Sequence, residues 1–215
     1  MEKKLHLGCG EKYFDGYVNI DYPLTEHSVQ KQSVADVQAD LLKLEYPAES
    51  ISEIRLHHVF EHFSRACAAA QLCRWNQWLE NEGVLRIEVP DFEKTAKVVA
   101  GGFFSKKPES YVALRHIFGS QEAHWAIHYH GYTEKILSDF LLEFGFKQLS
   151  VQRSDWKGTY NIDVTAIKIR SINSTVEAVD VANKYLRKYL VDESESELRL
   201  LDAWMEDFNK YLDML

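Results

Sequence analysis

Three short motifs at the ends of predicted strands together suit a nucleoside. Leu7-Gly8-Cys9-Gly10 follows the first apolar run, Asp21 ends the second, and Asp40-Leu41 ends the third. Glycine lets a ligand approach the backbone without a Cβ in the way. The Asp21 carboxylate can accept both ribose hydroxyls, while Asp40-Leu41 suits the amine and flat face of an adenine. Because ligands of open α/β sheets bind beyond the carboxyl ends of the strands, these residues predict one nucleoside ledge.

The glycine motif lacks the pattern of a phosphate-binding loop. The fingerprint G-x-G-x-x-G would need a glycine where Tyr13 stands, and the sequence contains no Gly-x-x-x-x-Gly-Lys loop. We therefore expect the nucleoside ledge to bind a nucleoside without a pyrophosphate. This expectation argues against one rival function, an NAD-dependent oxidoreductase.

Histidines form the second chemically suggestive group. A histidine near its unperturbed pKa of about 6.5 is a suitable base for taking a proton from a hydroxyl. The candidate bases are His58, His62, His128 and His130. The spacing His58-x-x-Glu61-His62 leaves two alternatives open. Glu61 and His62 could simply brace the following helix, or the three residues could ligate a metal.

Strands and helices alternate over residues 1–170 and must position these groups. The predicted strands are Leu5–Leu7, Tyr17–Asp21, Val34–Asp40, Ile54–Val59, Val84–Val89, Phe146–Arg153 and Ile162–Ile169. Helices are predicted from Ser64 to Glu82, from Asp91 onward and from Thr133 to Gly145. The alternation indicates a parallel sheet covered by helices, and the last two strands should be antiparallel because no helix separates them. The fold class is α/β, a Rossmann-like open sheet, mostly parallel with an antiparallel C-terminal hairpin, plus a helical C-terminal tail.

Two segments depart from this alternation. Residues 101–130 are rich in aromatic side chains and begin at Gly101-Gly102, which could act as a hinge. Residues 171–215 predict two amphipathic helices, with possible capping boxes at Ser174 and Ser194. We expect this appendage to bury its apolar stripes on the core or to form a homo-oligomer. The stripes are Val176, Val179, Leu186 and Leu190, then Leu198, Leu201, Met205, Phe208, Leu212 and Leu215.

The ordered motifs resemble class I S-adenosylmethionine-dependent methyltransferases, most closely the methyltransferase type 11-like group. The matching segments are Leu5–Gly10, Gly16–Asp21, Ala39–Leu41 and His57–His62, within a resemblance that spans roughly residues 4–170. The resemblance implies S-adenosyl-L-methionine as cofactor and a methyltransferase domain over residues 1–170. One departure is the interval of seven residues between Gly10 and Val18, which is too short for the usual crossover helix. Either that helix is reduced to a turn, or the first strands are misplaced by a few residues.

The resemblance also implies that residues 101–130 form a lid over the acceptor site, and it assigns roles to individual residues. Gly8 and Gly10 would face the methionine part of the cofactor, and Leu7 and Cys9 would belong to the same cofactor-binding motif. Asp21 would hold the ribose, and Asp40 and Leu41 would flank the adenine. His57 and His58 would lie near the sulfonium and its methyl group.

The implied activity is methyl transfer to a small molecule, most simply to a hydroxyl of a sugar or a phenol-like compound. The alternatives are a non-catalytic S-adenosylmethionine-binding protein and a metal-assisted O-methyltransferase. Ubiquinone-pathway O-methyltransferases and small-RNA 3′-end methyltransferases carry a similar Glu-x-x-Glu-His pattern as metal ligands. We nevertheless expect no metal here.

Composition limits the partners. The net charge of -8 and the pI of about 5.6 argue against nucleic acid, which needs a basic face. No apolar run is long enough for a membrane span, and no secretory leader is recognisable. Three cysteines cannot form a closed disulfide framework, so a reduced, cytoplasmic location is expected.

Overall fold

The computed structural model describes residues 3–26, 30–101, 107–156 and 158–213. Its strands are β1 (Lys4–Leu7), β2 (Val18–Asp21), β3 (Val37–Gln38), β4 (Ile51–His57), β5 (Leu79–Pro90), β6 (Phe146–Trp156) and β7 (Thr159–Lys168). Its helices are α1 (Arg65–Trp78), α2 (Phe92–Ala100), α3 (Lys107–Phe118), α4 (Glu134–Glu143), α5 (Thr175–Leu186) and α6 (Glu195–Leu212).

The strands form one seven-stranded sheet in the order β3-β2-β1-β4-β5-β7-β6. The pairs from β3 to β5 are parallel, whereas β7 is antiparallel to both β5 and β6. The predicted α/β fold class is thereby confirmed, including the C-terminal hairpin and the helical tail. The carboxyl ends of β1, β2 and β4 lie at one edge, where the nucleoside ledge and His57 were expected.

The connection from β1 to β2 contains no helix and consists of turns. Phe14 from this connection covers the sheet, with its ring 4.6 Å from that of His6 and beneath the Arg55 guanidinium at 4.3 Å. The Asn19 amide oxygen accepts a hydrogen bond from the Phe14 backbone N–H at 3.0 Å. The Phe14 ring and the buried Asn19 amide therefore take the place of a crossover helix. This explains how the short interval between Gly10 and Val18 can connect the two strands.

Two predicted boundaries were wrong. The helix predicted to reach Glu82 ends at Trp78, because Leu79 already pairs with Ile51 of β4 and its carbonyl accepts a hydrogen bond from the buried Lys168 ammonium at 2.7 Å. The strand predicted over Val34–Asp40 is reduced to β3. Just before β3, the Asp36 carboxylate accepts the Asn19 backbone N–H at 2.8 Å, so a side chain replaces part of the backbone pairing.

Helix caps place most of the helical starts where the sequence indicated. The side chains of Asp91, Thr133 and Ser174 accept hydrogen bonds from backbone N–H groups in the first turns of α2, α4 and α5. Ser194 precedes α6 but makes no capping hydrogen bond through its side chain. The Ser64 side chain likewise accepts the Cys67 N–H at the start of α1, so four of the five expected starts carry a side-chain cap.

Helix α1 is buried along most of its length, because the sheet lies on one side and α6 packs along it on another. Leu201, Phe208 and Leu212 of α6 belong to the same hydrophobic core as α1. Val176, expected on the buried stripe of α5, is instead 71% exposed, and Leu215 lies outside the described residues. The tail stripes are thus covered largely by the chain itself, while association with a second copy stays a prediction. None of the described helices is both long and apolar enough to cross a membrane.

The buried side-chain amide of Asn76 fixes the position of the segment that leads into the C-terminal tail. Asn76 of α1 donates from Nδ2 to the carbonyls of Phe144 and Arg170 at 3.0 and 2.8 Å, and its Oδ1 accepts the Ile172 N–H at 2.9 Å. Both ends of this amide are satisfied, as a buried polar group requires. The chain that leaves β7 is therefore tied to α1 before α5 begins.

Candidate functional site

A cavity of about 890 Å³ opens at the carboxyl edge of the parallel strands. This volume lies within the range of small-molecule sites, about 300–1,000 Å³. Its lining comprises Gly8, Cys9, Gly10, Glu11, Lys12, Asp21, Tyr22, Asp40, Leu41, Leu42, His57, His58, Val59, His62, Phe63, His124, Trp125 and Tyr129. The structure therefore brings the nucleoside ledge, apart from the buried Leu7, together with two of the four candidate bases.

The glycine turn and Asp21 form one hydrogen-bonded unit. Gly8 and Gly10 both have positive φ angles, of 68° and 56°. Oδ2 of Asp21 accepts the Gly10 N–H at 2.8 Å, and Oδ1 accepts the Tyr22 N–H at 2.8 Å. These two contacts fix the Asp21 carboxylate to the glycine turn at the edge of the cavity.

Gly8 is also fixed by packing. A Cβ at Gly8 would lie 2.2 Å from Cγ2 of Val59, whereas a Cβ at Gly10 would meet no protein atom within 4 Å. Gly8 therefore keeps the turn against the residues that follow β4, and Gly10 leaves space on the cavity side. Cys9 lies between them, and burial raises the pKa of its thiol to about 12, so it is a packing residue rather than a nucleophile.

Gly10→Ala is expected to weaken nucleoside binding much more than Gly16→Ala. Both glycines have positive φ and open space around the missing Cβ, so alanine should cost each variant a similar amount of stability, about 1 kcal/mol. Only Gly10 lines the cavity. Calorimetry with S-adenosylhomocysteine should show the difference, and equal affinities of the two variants would contradict the placement of the ligand beside Gly10.

Asp40 and Leu41 are held in place by two different contacts. Asp40 caps a single helical turn over Leu41–Lys43, with Oδ1 accepting the Leu42 N–H at 3.0 Å. The buried Arg74 guanidinium of α1 donates to the Leu42 carbonyl at 2.6 Å and to the Leu44 carbonyl. The nucleoside ledge is thus anchored to the helix that the tail covers.

His57 lies at the end of β4, between a carboxylate and an ammonium group. Its Nε2 lies 3.1 Å from Oε2 of Glu88 and also contacts Nζ of Lys12. Burial, with the neighbouring His58, Lys12 and Arg55, lowers the pKa of His57 to about 3 and so favours the neutral ring.

His58 and Glu61 form a pair at the floor of the cavity. His58 has a φ of 54°, uncommon for a residue other than glycine, and its backbone N–H donates to the Glu88 carbonyl at 2.9 Å. Its Nδ1 lies 3.1 Å from Oε1 of Glu61, which is 1% exposed. Burial opposes protonation of His58, but the hydrogen bond and charge of Glu61 outweigh it and raise the pKa of His58.

His62 and His128 face each other beside Glu61, with ring centroids 4.7 Å apart. Nδ1 of His62 lies 3.1 Å from the Ile127 carbonyl, and Nδ1 of His128 lies 3.0 Å from the His116 carbonyl. A carbonyl can only accept, so each Nδ1 carries a proton, and in the neutral form of each ring the lone pair is on Nε2. Of the two rings, only that of His62 lines the cavity.

His130 lies apart from the cavity and contacts the C-terminal tail. Its Nε2 is 3.1 Å from the hydroxyl of Tyr189, which follows α5. Burial and the nearby Arg65 lower the pKa of His130 to about 4. His130 and His128 instead border a void of about 10 Å³, roughly enough for one water molecule.

The segment expected to form a lid contributes one wall of the cavity. His124, Trp125 and Tyr129 line it, whereas Tyr111 and Phe118 are 74% and 54% exposed. Gly102, Phe103 and Phe104 lie outside the described residues.

Several residues of the cavity were not singled out from the sequence. Lys12, Tyr22 and Phe63 belong to turns whose course depends on tertiary packing. No sequence motif marks Lys12 or Phe63. Tyr22 could have been singled out, because it directly follows Asp21 at a strand end.

Comparisons with known proteins identify the fold. Neither protein-family models nor curated proteins match the sequence. A methyltransferase from Methanosarcina mazei, described as S-adenosylmethionine-dependent, matches at a TM-score of 0.53 with 12% identity, over 78% of this chain and 92% of the other. One from Mesorhizobium loti matches at 0.51 with 14% identity, over 77% and 90%. The chain has the fold of S-adenosylmethionine-dependent methyltransferases.

A third similar structure was solved with ligands bound. It is the 1,6-didemethyltoxoflavin-N1-methyltransferase of Burkholderia thailandensis, with its substrate and S-adenosylhomocysteine. It matches at a TM-score of 0.50 with 15% identity, over 79% of this chain and 72% of the other. At these identities the likeness establishes the methyltransferase fold, and function must be argued from the cavity.

Proposed function

We propose that the protein binds S-adenosyl-L-methionine on the nucleoside ledge and transfers its methyl group to a hydroxyl of a small molecule, such as a sugar or a phenol. One observation carries the proposal. A single cavity joins the nucleoside ledge, at Gly10, Asp21 and Asp40, to a histidine-rich and aromatic wall at His58, His62 and Trp125.

The residues present fit the ribose and the adenine of the cofactor. Asp21 places a carboxylate at the cavity where the ribose hydroxyls are expected, and the open space at Gly10 admits a ligand close to the backbone. Asp40 and Leu41 supply a carboxylate and an apolar surface where an adenine is expected. We assign cofactor binding to residues 1–170 and a supporting role to residues 171–215, because every residue of the ledge precedes position 60.

S-Adenosylmethionine supplies a methyl group already activated on a sulfonium. The protein therefore has to align the acceptor, exclude water and remove a proton. Nδ1 of His58 is engaged with Glu61, which orients the ring and leaves Nε2 to accept the proton from an acceptor hydroxyl. Of the four candidate bases, His58 is thus the one favoured by position and by its carboxylate partner.

The acceptor class follows from the wall opposite the nucleoside ledge. Trp125, Tyr129 and Phe63 offer aromatic surfaces, while His62 and His124 offer polar edges. Such a wall suits a small ring with hydroxyl groups better than a charged polymer. The net charge of -8 further disfavours a nucleic-acid acceptor.

Calorimetry separates the main alternatives. S-Adenosylhomocysteine should bind with one site per chain, and NAD⁺ should not bind. Incubation with S-adenosylmethionine and a panel of sugars and phenols should then release S-adenosylhomocysteine. Binding without release for any acceptor would favour the non-catalytic alternative, and binding of NAD⁺ alone would overturn the proposal.

Replacing His58 tests the base directly. His58→Gln should lower turnover by about 10²–10⁴-fold, the usual loss for a general base. The affinity for S-adenosylhomocysteine should change little, because His58 adjoins the acceptor rather than the nucleoside. Undiminished turnover, measured as S-adenosylhomocysteine release, would remove His58 from the reaction.

A further inference from the structure

We infer that Glu61, His62 and His128 form a binding site for a divalent transition-metal cation of the zinc type. One ligand atom from each residue lies within 4.8 Å of those of the other two. Two imidazoles and one carboxylate are a donor set found in zinc and non-haem iron sites. The sequence led us to expect no metal, and the inference departs from that expectation on the geometry of these three side chains.

Glu61 is a buried carboxylate for which the described residues supply hydrogen bonds to only one of its two oxygens. It is 1% exposed, and its Oε2 has no hydrogen-bond partner among the described residues. A buried carboxylate oxygen without a partner is costly, because no water compensates its charge. Oε1 lies 3.1 Å from Nδ1 of His58 and 3.9 Å from Nε2 of His128, so the carboxylate points into a group of imidazoles.

Both histidines of the site are held in the tautomer that metal ligation requires. Their Nδ1 protons are directed to the carbonyls of Ile127 and His116, which leaves the lone pair on Nε2. Histidines that bind metals almost always donate the other ring N–H in this way. In a chain whose histidines served only as packing, two such adjacent arrangements beside a buried carboxylate would have no evident purpose.

The site must contract moderately to bind a cation. Metal–ligand bonds of about 2.0–2.2 Å place neighbouring ligand atoms about 3.0–3.5 Å apart. The Glu61 and His128 atoms lie 3.9 Å apart and all three ligand atoms lie within 4.8 Å of one another, so the separations would close by about 0.5–2 Å, which side-chain rotation can supply. Since His62 also lines the cavity, an open coordination position can be reached from the acceptor wall. An oxygen atom of the methyl acceptor could occupy that open position. This part of the inference rests on the proposed function.

The test is metal binding by the full-length, untagged chain without S-adenosylmethionine. After dialysis against a chelator, Zn²⁺ should bind with one equivalent by calorimetry, and Co²⁺ should produce a visible absorption band. Mg²⁺ should bind far more weakly, because imidazole suits zinc-type cations better. Glu61→Gln and His62→Gln should each weaken Zn²⁺ binding by about 100-fold or more, since they remove a ligand and not only a supporting contact.

His124→Gln is the matched control, because His124 lines the same cavity but lies outside the three-residue site. It should bind Zn²⁺ like the unaltered protein. Glu61→Gln should retain its affinity for S-adenosylhomocysteine, which separates failure of the metal site from failure of the proposed function and from misfolding. No Zn²⁺ binding by the unaltered chain, or one equivalent retained by both Glu61→Gln and His62→Gln, would overturn the inference.

Discussion

Asp21→Asn should weaken the binding of S-adenosylhomocysteine by about 10–150-fold, which corresponds to the 1.5–3 kcal/mol of a hydrogen bond to a charged group. The substitution keeps the shape of the side chain but turns one acceptor oxygen into a donor. That atom would face either the Gly10 or the Tyr22 backbone N–H, both of which are donors themselves. The substitution should therefore disrupt both the glycine turn and the hydrogen bonds expected to the ribose.

Asp15→Asn is the control for this effect. Asp15 is an exposed carboxylate in the same β1–β2 connection and does not line the cavity. Its replacement removes the same charge and should leave the affinity unchanged. Equal affinities of the two variants by calorimetry, with intact circular dichroism spectra, would remove Asp21 from the site.

Phe208→Ala should reduce the free energy of unfolding by about 3–5 kcal/mol, the usual cost of truncating a buried phenylalanine. Phe208 is 0% exposed and belongs to the core that α6 shares with α1. We expect this loss of stability even though Phe208 is distant in sequence from every residue of the nucleoside ledge. Denaturant unfolding monitored by circular dichroism measures it.

Leu200→Ala, on the same helix, supplies the comparison. Leu200 is 40% exposed, so truncation should cost about 0.5 kcal/mol or less. If both variants unfolded at the same denaturant concentration, α6 would not pack on α1 as the structure has it.

The sequence predicted which residues meet at the cavity edge, because strand ends are local features. Gly8, Gly10 and Asp21 stand directly after short apolar runs, and parallel strands bring such ends to one edge. The same locality explains the correct starts of α2 and α4, whose caps Asp91 and Thr133 act within one turn.

The histidines were harder to place, since their neighbours come from distant parts of the chain. His128 meets Glu61 across 67 positions of sequence, and His130 meets Tyr189 across 59. No spacing rule anticipates that the first contact brings His128 beside a buried carboxylate while the second ties the core to the tail. The predicted end of α1 was wrong for a similar reason. Leu79 belongs to β5 because it pairs with Ile51 of β4, and no local sequence signal marks that pairing.

A crystal structure with S-adenosylhomocysteine tests the central claim most directly. The ribose hydroxyls should lie about 2.5–3.0 Å from the carboxylate oxygens of Asp21, as hydrogen-bonded oxygens do. The adenine should contact Leu41, and the sulfur should face His58. A ligand bound elsewhere, or one whose ribose is turned away from Asp21, would contradict the account.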